Sequence, residues 1–198
     1  MTKCLYLIVD FSYGEDKIRT ALSAGVDYVQ LREKNITSAE YLARAKQMRT
    51  MTRQYHTKLI IDDRLDIALL SEADGVHVGQ TDLPVQDIRC HVGKNFIIGA
   101  TAKTVSQAIK AEQEGANYIG TGAFFTTRTK ADALPIDEIT YKDILAATTI
   151  PNLAIGGITA ENCSHPLSLG ASGIAVSAGI MAQPDIEAAI RKFRQKLL

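Results

Sequence analysis

Neither sign of charge is in excess in this sequence. The 22 lysine and arginine residues balance the 22 aspartate and glutamate residues. A chain that binds nucleic acid or an anionic membrane through its overall charge carries a basic excess, so neither partner is expected here. Any anion that this protein binds has to be held by a local site.

Cysteines are few, and long apolar runs are absent. Cys4, Cys90 and Cys163 are odd in number and far apart, which predicts neither a disulfide framework nor a zinc site. We expect reduced thiols that serve packing. The apolar run near the N-terminus, residues 5–9, ends at Asp10, and no segment approaches the ~18 apolar residues that span a bilayer. The sequence therefore predicts a cytoplasmic protein.

Short apolar runs alternate with segments of helical periodicity along the whole chain, which is typical of βα units around a parallel sheet. A chain of 198 residues suits one buried core better than two. We predict an α/β fold with a single domain, residues 1–198, that forms one (β/α)8 TIM barrel. Its loops should be short, since barrels of this class usually have about 250 residues. An open doubly wound sheet is the alternative, although it usually needs a longer chain.

The pattern places eight strands and eight helices along the chain. The predicted strands cover residues 4–9, 28–31, 59–61, 75–78, 96–100, 118–121, 152–155 and 173–176. The predicted helices cover residues 15–24, 38–55, 64–71, 85–91, 104–114, 137–147, 160–169 and 184–197. Four strands follow nearly the same phrase, in which glycine or another small residue ends a helix and a buried strand begins at once. This repeated joint favours a closed array.

Polar residues that directly follow the predicted strands are the candidate site, because the loops after the strands form the active site of such a barrel. After the second strand, Gln30, Arg32 and Lys34 alternate in an extended segment and can project to one side. A single arginine or lysine is more often a solvated surface charge. Three polar residues together at a strand end favour a binding role.

Carboxylates come from two neighbouring strand ends. Asp62 and Asp63 follow the third predicted strand, and Asp82 closes the loop after the fourth. Mg²⁺ is commonly held by one or two carboxylates together with substrate phosphate oxygens. One aspartate of the pair could instead cap the helix predicted near Arg64. Capping would not explain Asp82.

The segment after the sixth predicted strand suits phosphate oxygens. Residues 126–130 offer three hydroxyls and two cations, with Thr127 and Thr129 as donors and Lys130 as a point charge. A plain threonine-rich turn is the alternative interpretation.

Glycines after the seventh and eighth predicted strands suit a phosphate as well. Gly156 and Gly157 let the backbone approach a ligand before a helix expected near Thr159, and Ser177 and Gly179 follow the eighth strand. Loops at these two positions commonly form the phosphate site of such a barrel. The two turns in this order predict the site more strongly than either turn alone.

The four histidines give little support for acid–base or nucleophilic catalysis. His77 lies inside an apolar strand and is expected to pack in the core. His56, His91 and His165 show no metal-ligand spacing, and no Ser/His/Asp or Cys/His arrangement is found. Two predicted phosphate-binding regions and a pair of Mg²⁺ ligands instead fit a reaction in which one substrate loses pyrophosphate and is then captured by a second, phosphorylated substrate. Such a reaction relies on electrostatic stabilisation.

Seven motifs together resemble the thiamine phosphate synthase family over nearly the whole chain. They are LYLIVD, QLREK, DDRLDIAL, ADGVHVGQTDLP, GANYIGTGAFFTTRTK, AIGGITAEN and GASGIAVSAGI, in the family's order and spacing. The resemblance implies a (β/α)8 barrel and a transferase that joins hydroxymethylpyrimidine diphosphate to a thiazole phosphate (carboxylate), with release of pyrophosphate. It also implies that the pyrimidine diphosphate ionises with the help of Mg²⁺ before the thiazole nitrogen attacks.

Carried over motif by motif, the resemblance implies a role for each candidate residue. Arg32, Lys34 and Lys130 are the expected catalytic residues, because they would hold the departing pyrophosphate. Asp63 and Asp82 are the expected Mg²⁺ ligands. The residues expected to bind the substrates are Gln30, Arg32, Lys34, Asp62, Thr101, Thr127, Thr129, Lys130, Gly157 and Ser177. Of these, Gln30 and Asp62 would lie near the pyrimidine, and Thr127, Thr129, Gly157 and Ser177 near the thiazole phosphate.

Several residues depart from the family's pattern. Asp62 stands where the family usually has asparagine, and Ala123 replaces the proline of its GxGPxF turn. Thr101 and Lys103 replace serine and histidine after the fifth strand. A metal-independent thiazole tautomerase is the main alternative, since that group shares the barrel and an altered fifth-strand loop. It relies on a histidine where this chain has Ala123 and tends to lose the acidic pair, so the residues favour the synthase.

Partners other than the two small-molecule substrates are less well defined. A non-catalytic sensor of thiamine precursors is a further alternative, although the sequence supplies no module that reads DNA. The N-terminal extension common in the family is missing, which could leave the barrel floor partly open and would favour a homodimer.

Overall fold

Eight parallel strands close into a barrel in the computed structural model, which describes residues 3–126 and 135–198. The strands are β1 (Cys4–Val9), β2 (Tyr28–Leu31), β3 (Lys58–Asp62), β4 (Gly75–Val78), β5 (Ile97–Thr101), β6 (Tyr118–Thr121), β7 (Asn152–Ile155) and β8 (Gly173–Val176). Each strand pairs with the next along the chain, and β8 pairs with β1. The predicted (β/α)8 TIM barrel is confirmed.

Helices surround the barrel. They are α1 (Glu15–Ser23), α2 (Ser38–Gln54), α3 (Leu65–Leu70), α4 (Val85–His91), α5 (Val105–Gln113), α6 (Glu138–Ala147), α7 (Ser164–Ser168), α8 (Ala178–Met181) and α9 (Ile186–Leu197), with a 3-10 turn at Phe11–Tyr13. No helix in the described parts of the chain is long and apolar enough to cross a membrane.

The helix predicted over residues 160–169 is shorter than expected, and α8 was not predicted. The α7 helix begins at Ser164 rather than near Thr159. Thr159 N donates to Asn162 Oδ1 at 2.8 Å, and Asn162 Nδ2 donates to Gly157 O at 2.9 Å. These side-chain bonds fold residues 159–163 into a turn before the helix. The α8 helix has only four residues, too few to show helical periodicity in the sequence.

The joints between helices and strands use the left-handed backbone conformation, but not always with glycine. Gly115 has φ +96°, as expected for a helix that ends in this conformation. At the corresponding position before β4, however, Glu72 has φ +55°. The expectation that a small residue ends each joint is wrong there. The exposed Glu72 side chain pairs with Arg53 at 2.5 Å.

Apolar side chains pack in two layers, because successive residues of a strand point to opposite faces. Side chains such as Leu5, Leu7 and Val29 point outward and pack under the helices in the main core. The side chains that fill the barrel itself form a separate cluster of Tyr6, Ile8, Ile60, Tyr118, Leu153 and Ala175. The interior is therefore closed by side chains below the mouth.

The three cysteines are free thiols in different environments. Cys163 is buried, Cys4 is half-buried and Cys90 is exposed. The expectation that the thiols serve packing therefore holds for Cys163 and is wrong for Cys90.

Hydrogen bonds link three rings inside the barrel. Tyr6 Oη lies 2.8 Å from Tyr118 Oη, which lies 3.0 Å from His77 Nδ1. On its other side, His77 Nε2 lies 3.0 Å from Thr101 Oγ1 at the mouth. Gly99 provides the room, since a Cβ at that position would lie 2.5 Å from His77 Nδ1. His77 packs inside the barrel, as predicted, and burial lowers its pKa to about 4.

We predict that His77 makes the protein sensitive to mild acid. Its folded-state pKa of about 4 lies below the ordinary value of 6.5, so the unfolded chain takes up the proton first as the pH falls. Stability is then fully present above pH ~6.5 and is lost toward pH ~4, by about 3 kcal/mol from this group. Urea unfolding of the wild type and of His77→Gln at several pH values should show this loss only in the wild type. His91→Gln, a change at an exposed ring, should keep the wild-type slope, and equal slopes in all three proteins would contradict the prediction.

Candidate active site

Charged side chains from two neighbouring strand ends meet at the barrel mouth. Leu31 of β2 and Ile61 of β3 are register partners, so the residues that follow them lie at the same level. Arg32 Nε lies 3.3 Å from Asp62 Oδ2, and Lys34 Nζ lies 3.3 Å from the same oxygen. The predicted convergence of Arg32 and Lys34 is therefore present. Its partners are Asp62, which ends β3, and Asp63, which follows the strand and also contacts Lys34.

Asp62 is the most buried member of this cluster, with a side chain 9% exposed. Burial raises its pKa, and the neighbouring charge of Asp63 raises it further. Lys34 and Arg32 act in the opposite direction, and the resulting pKa is about 6. Asp62 is thus a carboxyl group whose charge changes just below neutral pH.

Asp63 is turned into the mouth by a left-handed backbone conformation, with φ +61°, which aspartate adopts more readily than most residues. Burial raises the pKa of Asp63, but contact with Lys34 outweighs burial and the pKa is lowered overall. Neither Asp62 nor Asp63 caps a helix, because the residue before α3 is Arg64, whose side chain makes no capping bond. The capping interpretation is wrong, and Arg64 instead pairs with Asp66 at 2.5 Å.

Asp82 reaches the same place from the loop after β4. Its Oδ2 accepts a hydrogen bond from Gly79 N at 2.8 Å, which fixes the loop. Burial and the adjacent Asp63 carboxyl raise the pKa of Asp82. Asp63 and Asp82 therefore form a close carboxyl pair. In the described ranges of the chain, no group of three or more His, Cys, Asp or Glu side chains is arranged to hold a metal ion.

Gln30 lies deeper in the barrel than the charged cluster, and Thr101 lies beside the cluster at the mouth. Gln30 is 3% exposed and is the register partner of Ile8 and Ile60, inside the barrel. It is on the same side of its strand as Arg32, as the alternation predicts, but one layer below. Thr101 ends β5 at the mouth, where its hydroxyl is bonded to His77.

The loops after β6, β7 and β8 pack closely against each other. Gly157 has φ +66°, and a Cβ there would lie 2.5 Å from the carbonyl oxygen of Thr126. Gly179 lies against the carbonyl of Ile158 in the same way. Ser177 directly precedes α8. Of the predicted phosphate-binding residues, Thr127, Thr129 and Lys130 lie outside the described residues.

Glu33 is a charged residue of this region that the sequence analysis passed over. Its side chain is 4% exposed, and it accepts hydrogen bonds from Phe11 N at 2.9 Å and from Arg44 Nη1 at 2.7 Å. The signal was present, because a residue between Arg32 and Lys34 in an extended segment must point the opposite way. Glu33 therefore ties the segment to its surroundings from behind.

Comparison with known proteins agrees with this architecture. A model of the family described as thiamine monophosphate synthase matches residues 5–180. Thiamine-phosphate synthase 2 of Streptococcus pneumoniae serotype 4 is 47% identical over 182 residues, which cover 91% of this chain and 86% of that protein. Thiamine-phosphate synthase of Clostridioides difficile is 40% identical over 204 residues, which cover 100% of this chain and 97% of that protein.

A solved structure is similar as well. Thiamine phosphate pyrophosphorylase from Pyrococcus furiosus superposes with a TM-score of 0.89 at 34% sequence identity, covering 99% of this chain and 96% of that one. The match thus extends over nearly the whole of both chains. The chain belongs to the thiamine monophosphate synthase family.

Proposed function

We propose that this protein joins hydroxymethylpyrimidine diphosphate to a thiazole phosphate (carboxylate), forming thiamine phosphate and releasing pyrophosphate, together with carbon dioxide where the thiazole carries the carboxylate. The observation that carries this proposal is the convergence of Arg32 and Lys34 on Asp62 and Asp63 at the barrel mouth. Cations fixed beside carboxylates suit a substrate that is itself a polyanion and a metal chelator.

The proposed role of the cations is electrostatic. When the bond between the pyrimidine methylene carbon and the diphosphate oxygen breaks, negative charge grows on the departing pyrophosphate. Arg32 and Lys34 stabilise that charge because β2 holds them at the mouth before the reaction begins. Lys130 completes the set in this proposal. Lys34 is 45% exposed, so its flexible stem can move its ammonium group from the carboxylates to a phosphate oxygen.

Asp63 and Asp82 are the proposed ligands of Mg²⁺. The pair fits such an ion, because two carboxyl groups from adjacent strand ends lie close enough to raise the pKa of Asp82. A divalent cation would relieve this repulsion, and two carboxylates with substrate oxygens and water make up a common Mg²⁺ environment. When bound, Mg²⁺ would neutralise diphosphate charge.

Gln30 and Asp62 are proposed to face the pyrimidine. Asp62 replaces the asparagine that the family resemblance leads one to expect, and a carboxylate cannot donate a hydrogen bond. With a pKa of about 6, however, the carboxyl group takes up a proton readily and can then act as a donor. Thr101 stands beside them at the mouth, held by His77.

The thiazole phosphate is proposed to bind where the loops after β6, β7 and β8 meet. Gly157 packs directly against Phe125 and Thr126, which brings the loops after β6 and β7 together. In this proposal Ser177 contributes a hydroxyl. Thr127 and Thr129 would add further hydroxyl donors. The thiazole nitrogen would then face the pyrimidine methylene carbon across the mouth.

No observation favours the two other functions. A thiazole tautomerase would need an acid–base group after β6, where the buried Ala123 offers none, and the acidic pair is kept. A sensor would have no need of that pair. The extent of the domain over residues 1–198, the homodimer and the cytoplasmic location stay predictions from the sequence. Light scattering on the purified protein tests the homodimer.

We predict Mg²⁺-dependent formation of thiamine phosphate and pyrophosphate from the two phosphorylated substrates. Asp63→Ala should lower kcat by at least ~100-fold, because it removes one of two proposed metal ligands. Asp87→Ala, which removes an exposed carboxylate from α4, is the matched control and should keep wild-type rates. Product formed equally well with a chelator present would contradict the metal assignment, and a folded but inactive wild type would contradict the synthase.

We further predict that Ser177→Ala acts on one substrate only. The KM for the thiazole phosphate should rise about tenfold, the effect of one lost hydrogen bond to a charged group. The KM for the pyrimidine diphosphate should stay within about twofold, because its site lies across the mouth. Ser168→Ala, at an exposed hydroxyl of α7, should leave both values unchanged. A rise in both KM values for Ser177→Ala would show that the two subsites are not separate.

A further inference from the structure

The α2 helix carries a buried tyrosine against the ends of both strands that form the charged cluster. Tyr41 lies in the first turn of α2, four residues after the capping residue Thr37, and is 4% exposed. Its hydroxyl lies 2.8 Å from the carbonyl oxygen of Leu31 and 3.1 Å from that of Asp62. One hydroxyl hydrogen is thus shared between the last residue of β2 and the last residue of β3.

These two carbonyls occupy special places in the chain. The Leu31 carbonyl belongs to the peptide bond that leads into Arg32, and the Asp62 carbonyl belongs to the one that leads into Asp63. The Asp62 carbonyl also accepts a hydrogen bond from Arg64 N at 2.7 Å. Tyr41 and Arg64 together therefore hold the turn in which Asp63 has its left-handed conformation, φ +61°.

A second tie comes from the same face of α2. Arg44 follows Tyr41 by three residues, so both side chains point toward the strands. Arg44 Nη1 binds the buried Glu33 carboxylate at 2.7 Å, and Glu33 lies between Arg32 and Lys34. The α2 helix thus contacts the cation-bearing segment twice and the aspartate turn once.

We propose that Tyr41 is a positioning residue for the reaction: its hydroxyl sets the separation of the two strand ends that carry Arg32 and Asp63. Tyr41 does not reach the mouth, since its hydroxyl is used on backbone carbonyls. It acts through the side chains that those backbone segments carry. This inference rests on the proposed function for its effect on turnover, but not for its effect on the backbone.

Removing the hydroxyl should loosen the two strand ends without opening the core. In Tyr41→Phe the ring still fills its place, while the Leu31 and Asp62 carbonyls lose their shared donor. Fixed charges stabilise a transition state only where they are held in place, and small displacements are costly. We expect kcat to fall about tenfold, with the KM for the thiazole phosphate within about twofold of the wild type.

Tyr141→Phe is the matched control. Tyr141 is also buried, and its hydroxyl also makes a buried hydrogen bond, to Asn152 Oδ1 at 3.2 Å. That bond lies between α6 and β7, away from β2 and β3. Both variants therefore lose one buried hydroxyl, but only Tyr41→Phe loses the bond to the strand ends. The control should keep wild-type kcat and KM.

Amide hydrogen exchange gives a measurement that does not depend on turnover. The exchange rates of three amides measure how firmly the strand ends are held. Arg32 N donates a hydrogen bond to Val9 O and Asp63 N donates one to His77 O, both at 2.8 Å, and Arg64 N donates one to Asp62 O at 2.7 Å. They should exchange faster in Tyr41→Phe and at the wild-type rate in Tyr141→Phe. Ala102 N, bonded to Gly120 O at 3.0 Å, should be unchanged in both and serves as the internal reference.

The outcomes distinguish the effect of Tyr41 on turnover from its effect on the backbone. Lower kcat together with faster exchange at the three amides, in Tyr41→Phe alone, supports the positioning role. A kcat within twofold of the wild type, or equal losses of kcat in both variants, would overturn it. If the wild type itself forms no thiamine phosphate, the proposed function fails. Exchange then decides whether Tyr41 holds the strand ends, and unchanged rates in Tyr41→Phe would refute that as well.

Discussion

The parallel pairing of β2 with β3 is the constraint on which the site depends. Leu31 and Ile61 are partners in this ladder, so the chains that leave the two strands do so side by side at one rim. Arg32 and Asp62 then stand 3.3 Å apart, measured between Nε and Oδ2. A slip of one residue would turn every side chain of a strand to its other face. Asp62 would then point at the helices, and the charged cluster would not form.

Burying charge at that rim costs free energy, and the cluster itself offsets only part of this cost. Asp62 is nearly inaccessible to solvent, and an isolated carboxylate in such a place would be strongly destabilised. Two cations share one of its oxygens, yet its pKa remains above the ordinary value. The compensation is incomplete chiefly because the carboxyl group is buried, and also because Asp63, with the same charge, is its neighbour in the chain. The carboxylates at the mouth are therefore only partly compensated, which suits a site where the cations have to exchange carboxylate partners for substrate oxygens.

Sequence periodicity predicted the barrel closely, since apolar runs of four to six residues map directly onto buried strands. Six strands have the predicted bounds, and β3 and β5 differ by one residue at their ends. Position after a strand also predicted that Arg32, Lys34 and the three aspartates would converge. Sequence periodicity could not predict tertiary contacts. Asn162 replaces a helical turn by side-chain bonds, and Tyr41 reaches carbonyls ten and 21 residues away. No local pattern encodes such a partner.

Electrostatic catalysis requires charged groups that the surrounding structure holds in fixed positions. His77, which contacts Thr101 at the mouth, is hydrogen-bonded at both ring nitrogens, and burial keeps its pKa near 4. The barrel interior therefore presents fixed dipoles at neutral pH. A site of this kind gains its advantage only if its charges need not rearrange when the substrate ionises. The side chains that bear those charges are long and half-exposed, whereas their backbone is tied by Tyr41 and by the pair of Glu33 with Arg44. The positions of the charged groups at the mouth therefore depend on the contact between α2 and the ends of the strands, outside the mouth itself.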